Sequence, residues 1–266
     1  MERFLYRLSK SQYVDRFILK GGLLLRAWRS PEIRPTMDID MLGLTSNEES
    51  NIIVQIQEII ALDVEPDGLD FDPDSVRADR IIENADYDGL RILLNGTLGS
   101  ARVFLQIDIG FGDVVFPGPD KINLPTMLNF SPTRLLCYSR ESVIAEKFEI
   151  MVKLGELNSR MKDFYDIWLL SRYYDFEGTK LSEAIRLTFE RRETPLPETI
   201  VFFTEDFIAQ KQIQWIAFWK RLQQGHVPDS FAAVMKTANE FLSPLATELS
   251  SGTPFTKNWT APGPWK

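Results

Sequence analysis

The segment Thr36-Met-Asp-Ile-Asp-Met-Leu-Gly-Leu44 alternates between apolar and polar residues, which predicts a β-strand. Residues two apart in a strand project from the same face, so Asp38 and Asp40 are expected to lie side by side. Two carboxylates at this spacing suit magnesium, which is commonly held by one or two carboxylates together with substrate phosphates. An Asp-x-Asp pair on its own is more often a solvated strand face, so the interpretation depends on the neighbouring segments.

A glycine pair lies upstream of this strand, in Phe17-Ile-Leu-Lys-Gly-Gly22. Its apolar start predicts a buried strand, and Gly21 and Gly22 predict a turn into a short helix, residues 23–28. Glycines at such a turn let backbone N–H groups approach a phosphate. A tight turn without a ligand is the alternative, but the position of the pair ahead of Asp38 favours phosphate binding.

A third carboxylate, Asp108, stands in the apolar run Leu105-Gln-Ile-Asp-Ile-Gly110. An ionised carboxylate in such a strand is costly unless it is paired or bound to a metal. A carboxylate from a neighbouring strand would complete a two-metal site for phosphoryl transfer. The alternative is a strand-end aspartate that is hydrogen-bonded to the turn at Gly110 or Gly112.

Two residues ahead of the aspartate pair are candidates for nucleotide binding. Arg34 could bind a triphosphate in the bidentate manner of arginine, and Thr36 shares the strand face of Asp38 and Asp40. Solvation of a loop and ordinary strand propensity are the respective alternatives.

Lys147 interrupts the apolar stripe of a predicted helix, residues 141–154. A lysine at such a position either extends its ammonium group to water or reaches inward for a phosphate. A short connection leads to a second predicted helix, residues 161–173, so Lys147 and Asp163 could converge. A structural Lys–Asp ion pair is the alternative to a catalytic role.

The composition limits the possible chemistry. The chain has 266 residues, 44% of them hydrophobic, and no apolar run approaches the roughly 20 residues of a membrane span. The start of the chain has no secretory pattern. One cysteine and one histidine exclude an intramolecular disulfide and a zinc site of several soft ligands. We therefore expect a cytoplasmic protein whose metal is held by oxygen.

The net charge of −8 is local. Residues 63–88 contain ten acids and two bases, which leaves 28 acids and 28 bases in the rest of the chain. The low pI therefore disfavours indiscriminate nucleic-acid binding but leaves room for a local basic surface.

The order of patterns predicts an α+β protein. Segments 36–44, 90–94 and 101–109 read as strands, whereas 141–154, 161–173, 181–191, 205–222 and 230–242 read as helices. Four prolines between residues 116 and 134 predict a boundary. We expect a mixed-sheet domain at residues 1–130 and an all-helical domain at 131–266 that ends in an irregular, tryptophan-containing tail.

Several motifs in this order resemble the AbiEii/AbiGii toxin family of the nucleotidyltransferase superfamily. The resemblance covers nearly the whole chain and rests on Glu2-Arg-Phe-Leu-Tyr-Arg-Leu-Ser9, Arg16-Phe-Ile-Leu-Lys-Gly-Gly22, Arg34-Pro-Thr-Met-Asp-Ile-Asp40, Leu105-Gln-Ile-Asp-Ile-Gly-Phe-Gly-Asp113, Ala145-Glu-Lys-Phe148 and Asn158-Ser-Arg-Met-Lys-Asp-Phe-Tyr-Asp166. It implies a nucleotidyltransferase core at residues 1–130. Lys147 then matches the family's lysine motif, and Asp163 matches the first aspartate of its Lys-Asp-x-x-Asp motif.

The resemblance implies a magnesium-dependent toxin that transfers a nucleoside monophosphate from a nucleoside triphosphate to RNA, with the tRNA 3′ end as the expected acceptor. Asp38, Asp40 and Asp108 would hold two magnesium ions, with Lys147 and Asp163 as further catalytic residues. A cognate antitoxin is the expected protein partner. A GTP-binding, kinase-like toxin and a catalytically silent nucleotide- or partner-binding module are the alternatives.

Overall fold

The computed structural model describes residues 1–31, 34–82 and 88–266. The chain divides into two compact units. The first comprises Met1–Asp113 and Pro119–Tyr138, and the second comprises Val114–Gly118 and Ser139–Lys266. The first unit contains a mixed sheet and the second is mainly helical, which confirms the predicted α+β class.

The first unit is built on a sheet in which the described residues supply eight strands. The strands are β1 Phe17–Lys20, β2 Asp38–Gly43, β3 Leu69–Phe71, β4 Arg77–Ile82, β5 Asp88–Leu98, β6 Ala101–Phe111, β7 Asp120–Leu124 and β8 Thr133–Cys137. Their order is β3-β5-β6-β2-β1-β8-β7, and β4 also pairs with β5. Two pairings, β2 with β6 and β1 with β8, are parallel.

One face of this sheet forms the core of the unit. Ile92, Leu94, Leu105 and Ile107 alternate along β5 and β6 and are at most 3% exposed. Helices α1 (Glu2–Lys10) and α3 (Glu49–Ile60) contact β8 and β4, and the short helix α2 (Leu24–Ala27) follows β1. The strands follow the period of two that the sequence shows at Asp38 and Asp108, so the residues between the core positions point to the other face.

Four strands, β3, β4, β7 and β8, lie in segments whose residues show no strand pattern. β3 and β4 occupy part of the acidic segment 63–88, of which residues 83–87 lie outside the described part. The charges of β4, such as Arg77 and Asp79, are typical of an exposed strand near a sheet edge. β7 lies between Pro119 and Pro125, and β8 begins after Pro132, so neither strand contains a proline and both keep their backbone N–H groups for pairing.

The second compact unit continues from Ser139, because β8 pairs with β1 and β7 and so remains with the sheet. This differs from the division after residue 130 expected from the prolines. The division into a domain at residues 1–130 and a helical domain at 131–266 stays a prediction.

The second unit contains helices at the predicted places. They are α4 Arg140–Leu154, α5 Met161–Tyr173, α6 Gly178–Arg191, α7 Glu205–Leu222 and α8 Phe231–Ser250. The tail after α8 is fixed to the second unit by a strand pairing and a hydrogen bond. Its short strand β10, Asn258–Trp259, pairs with β9, Phe176–Glu177, and the Trp259 indole N–H donates to the Ser171 carbonyl at 2.6 Å. Among the described residues, no helix is long and apolar enough to cross a membrane.

A buried ion cluster fastens α1 to the segment before β3. The side chain of Asp67 is 1% exposed and accepts hydrogen bonds from Arg3 Nε and Arg7 Nη1, both at 2.7 Å. Burial by itself would raise the pKa of Asp67, but the bonds from Arg7 and Arg3 outweigh it and lower the pKa to about 2.

The variant Asp67→Asn is expected to lower the free energy of unfolding at pH 7 by about 2–3 kcal/mol, since a depressed carboxylate pKa is a contribution to stability. The ionised form is favoured by folding, so the contribution is complete above the unfolded pKa near 4 and is lost as the pH falls towards 2. Urea unfolding of both proteins between pH 7 and pH 3 measures it. A constant difference across that range would contradict the assignment.

Candidate active site

Three carboxylates meet on the open face of the sheet. β2 and β6 run parallel in a register that sets Asp40 beside Asp108, and Asp38 precedes Asp40 by one pleat on the same face. One oxygen from each of the three side chains can be chosen so that all lie within 4.8 Å of one another. All three residues are partly accessible to solvent. This set of oxygen ligands matches the chemistry that magnesium prefers.

Hydrogen bonds orient two of these carboxylates. Thr36 Oγ1 donates to Asp38 Oδ1 at 2.7 Å. Arg91, which lies directly opposite Asp108 on β5, donates from Nε and Nη2 to the two carboxylate oxygens at 2.9 and 2.8 Å. A cation that binds Asp108 therefore has to share its oxygens with a bidentate guanidinium group.

Sequence reasoning did not identify Arg91 or its neighbour Gln106, whose Nε2 lies 3.2 Å from both Asp108 oxygens. The position of the turn between β5 and β6 would have revealed the pairing of Arg91 with Asp108. The predicted strands at 90–94 and 101–109 leave residues 95–100 for a turn, but β5 continues to Leu98 and the reversal falls at Gly99-Ser100. A two-residue turn at that point pairs residue 91 with residue 108.

The glycine pair brings backbone close to the site. Gly21 has φ +71°, and a Cβ there would lie 1.9 Å from Asp40 Oδ2. A Cβ on Gly22 would lie 2.9 Å from Arg34 Nη1 and 3.1 Å from the Thr36 Cβ. The absence of side chains at both positions therefore lets Asp40, Arg34 and Thr36 lie against the turn. Phosphate binding by this turn stays a prediction.

Lys20 is a second residue that sequence reasoning missed. It pairs in register with Asp40 across β1 and β2. Its Nζ lies 3.0 Å from Asp113 Oδ2 and 5.3 Å from the centre of the Tyr138 ring. Because Lys20 and Asp113 are 14% and 5% exposed, this is a largely buried ion pair beside the carboxylate cluster.

Lys147 and Asp163 come together in the second unit, as their spacing predicted. Lys147 Nζ lies 2.6 Å from Asp163 Oδ1 and 2.8 Å from Asp166 Oδ2. Arg160 Nε donates to Asp163 Oδ2 at 2.6 Å. Burial disfavours the charge on Asp163, but Lys147 and Arg160 outweigh it and hold the pKa of that carboxyl well below its usual range. Two cations and two anions balance in this cluster, so a structural ion pair accounts for Lys147, and its phosphate role stays a prediction.

Comparison with known proteins assigns the chain to a family. A family model described as "Nucleotidyl transferase AbiEii toxin, Type IV TA system" matches residues 3–237. The chain belongs to this family. The resemblance drawn from the motifs is thus confirmed, and with it a nucleotidyltransferase activity in general terms and membership of a toxin–antitoxin system.

Two solved structures from Helicobacter pylori resemble this AbiEii chain. One, a candidate nucleotidyltransferase, is 12% identical with a TM-score of 0.52 and covers 94% of this chain and 93% of its own. The other, JHP933, is 12% identical with a TM-score of 0.53 and covers 94% of this chain and 90% of its own. At this identity the likeness shows the fold alone. No curated protein matches the chain.

The close approach of Gly21 to Asp40 can be tested by Gly21→Ala. The new methyl group would displace the Asp40 carboxylate, and we expect Mn²⁺ affinity to fall by about tenfold or more, as for other changes that misplace metal ligands. Gly99→Ala is a matched control, because Gly99 also has positive φ (+60°) but a Cβ there would meet nothing within 4 Å. Equal Mn²⁺ affinity in the two variants would contradict the proposed displacement.

The balance of charge around Lys147 predicts that Lys147→Met lowers the free energy of unfolding by about 3–5 kcal/mol, because it leaves buried carboxylates without their partner. Combining it with Asp163→Asn should recover part of the loss. Lys153→Met changes an exposed lysine of the same helix and should cost less than about 0.5 kcal/mol. Unchanged stability of Lys147→Met would instead favour a purely catalytic lysine.

Proposed function

We propose that this chain is a cytoplasmic, magnesium-dependent nucleotidyltransferase toxin. It transfers a nucleoside monophosphate from a nucleoside triphosphate to an RNA acceptor, the tRNA 3′ end. The observation that carries the proposal is the convergence of Asp38, Asp40 and Asp108 from two adjacent parallel strands. Their spacing follows from strand pairing, so it is built into the backbone of the unit.

The residues present fit magnesium. The cluster consists of hard oxygen ligands, and the turn at Gly21 leaves open the space that a Cβ would take from Asp40. Bound at Asp38, Asp40 and Asp108, magnesium would lower the pKa of the acceptor hydroxyl and offset the charge of the leaving pyrophosphate. The site would then contain what nucleotidyl transfer chiefly needs, which is positioning and charge neutralisation.

The chain's own residues position the reactants. The acceptor oxygen forms a bond to the α-phosphorus, the bond from that phosphorus to pyrophosphate breaks, and the hydroxyl proton leaves to a cluster carboxylate or to water. Asp38, fixed by Thr36, keeps one oxygen oriented towards the cluster. The triphosphate is bound by Gly21, Gly22 and the largely buried Arg34.

Lys147 and Asp163 belong to the proposal through the family motif. Lys147 would bind phosphate, and Asp163 would orient the Lys147 side chain, a role compatible with the short contact between the two residues. A cognate antitoxin is the proposed protein partner.

Asp38→Asn tests the proposal. Purified protein is incubated with total tRNA, magnesium and each α-³²P- or γ-³²P-labelled nucleoside triphosphate. We expect α-label to enter RNA with the wild type. The rate of this transfer should fall by about three orders of magnitude or more in the variant, because a carboxylate of the cluster acts mainly in the transition state. Asp120→Asn, which alters an exposed carboxylate of β7, should retain activity.

Other outcomes separate the alternatives. Transfer of γ-label with release of nucleoside diphosphate would replace the proposal by a kinase. Calorimetric binding of nucleotide without transfer of either label would favour a silent binding module. Activity retained in Asp38→Asn would remove the carboxylate cluster from the mechanism.

A further inference from the structure

The sheet face that carries Asp108 continues, exposed to solvent, along β4, β5 and β6. Strand pairing sets the side chains of alternate residues on this face, here called the hairpin face. The hairpin face includes Arg77 on β4, Arg91 and Asn95 on β5, and Arg102, Phe104 and Asp108 on β6.

Phe104 is a large aromatic residue of the hairpin face that is exposed to solvent. Its side chain is 63% exposed, whereas its neighbours Leu105 and Ile107, which point to the opposite face, are at most 3% exposed. A strand in a half-buried sheet normally carries polar residues at such outward positions. An exposed aromatic ring beside Asn95, its direct cross-strand partner, offers a flat surface for a ligand.

The charges around Phe104 indicate what that ligand is. Arg102, one pleat away on β6, and Arg77 on β4 are both exposed. Asp79 lies on the same face of β4, and Asp70 of β3 pairs with Thr97, so the face is not uniformly basic. A base-stacking ring with a few arginines is the arrangement by which proteins hold single-stranded nucleic acid.

The spacing links this surface to the carboxylate cluster. Alternate residues on one strand are about 6.7 Å apart. Phe104 therefore lies about 13 Å from Asp108 along β6, at backbone level. This distance suits an extended strand whose 3′ end is at the carboxylates and whose preceding bases lie along the hairpin face.

We propose that the hairpin face binds the single-stranded 3′ segment of the RNA acceptor. A base stacks on Phe104, and Arg102 and Arg77 contact the backbone phosphates. The assignment of the bound strand as acceptor rests on the proposed nucleotidyl transfer, but its binding can be measured without any turnover.

The experiment titrates the full chain into a 5′-fluorescein single-stranded RNA oligonucleotide in EDTA, followed by anisotropy. Phe104→Ala should weaken binding by about tenfold or more, and Phe104→Tyr should retain it, because either ring can stack on a base. Leu98→Ala is the matched control, since Leu98 is a half-exposed apolar residue of the same hairpin that points to the opposite face.

Charge is tested in the same assay. Arg77→Gln should weaken binding, whereas Arg80→Gln should not, because Arg80 lies on the opposite face of β4 and pairs with Glu49 at 3.0 Å. With two phosphate contacts, the slope of log affinity against log salt should be about −1.4 for a single strand.

Equal RNA affinity of Phe104→Ala and Leu98→Ala would overturn the proposal. So would a change of oligomeric state in Phe104→Ala without loss of RNA binding, which would make the face a contact between copies of the chain. Phe104-dependent RNA binding without transfer of α-label would support this surface and refute the proposed transfer. The two hypotheses therefore fail separately.

Discussion

The parallel pairing of β2 with β6 is the constraint on which the candidate site depends. It sets Asp40 beside Asp108, and the period of two of β2 then adds Asp38 to the same face. A shift of this register by one residue would turn Asp108 into the core and bring Ile107 or Ile109 to the cluster. The buried residues Ile39, Met41, Ile107 and Ile109 therefore hold the register, and the packing of the core determines the geometry of the carboxylates.

Buried acids in both units have fixed cationic partners. Asp67 has Arg3 and Arg7, Asp113 has Lys20, and Asp163 has Lys147 and Arg160. The reason is the cost of transferring an unpaired charge into the interior. Because such pairs occur away from the carboxylate cluster as well, a Lys–Asp contact is weak evidence of catalysis. Three like charges that one strand pairing brings together are the stronger sign of a functional site.

Much of the site followed from the sequence, because it depends on short-range periodicity. The strand with Asp38 and Asp40, the glycine turn and the proximity of Lys147 to Asp163 all needed only local patterns and short connections. Arg91 and Lys20 needed the strand order and register, which depend on long-range pairing. β4 was missed because charged residues such as Arg77 and Asp79 hide its pattern. The tail after Ser250 was expected to be irregular, because nothing in its own composition reveals that Trp259 binds Ser171.

The three carboxylates of the cluster are not equivalent, and this difference would affect the order in which metal and nucleotide bind. Asp38 is held by the neutral hydroxyl of Thr36, whereas both oxygens of Asp108 accept hydrogen bonds from the Arg91 guanidinium. A divalent cation near Asp108 would be repelled by the Arg91 guanidinium. A bound triphosphate brings negative charge that offsets both cations. We therefore expect metal and nucleotide to bind cooperatively, with Asp108 as the ligand whose contribution depends most on the substrate.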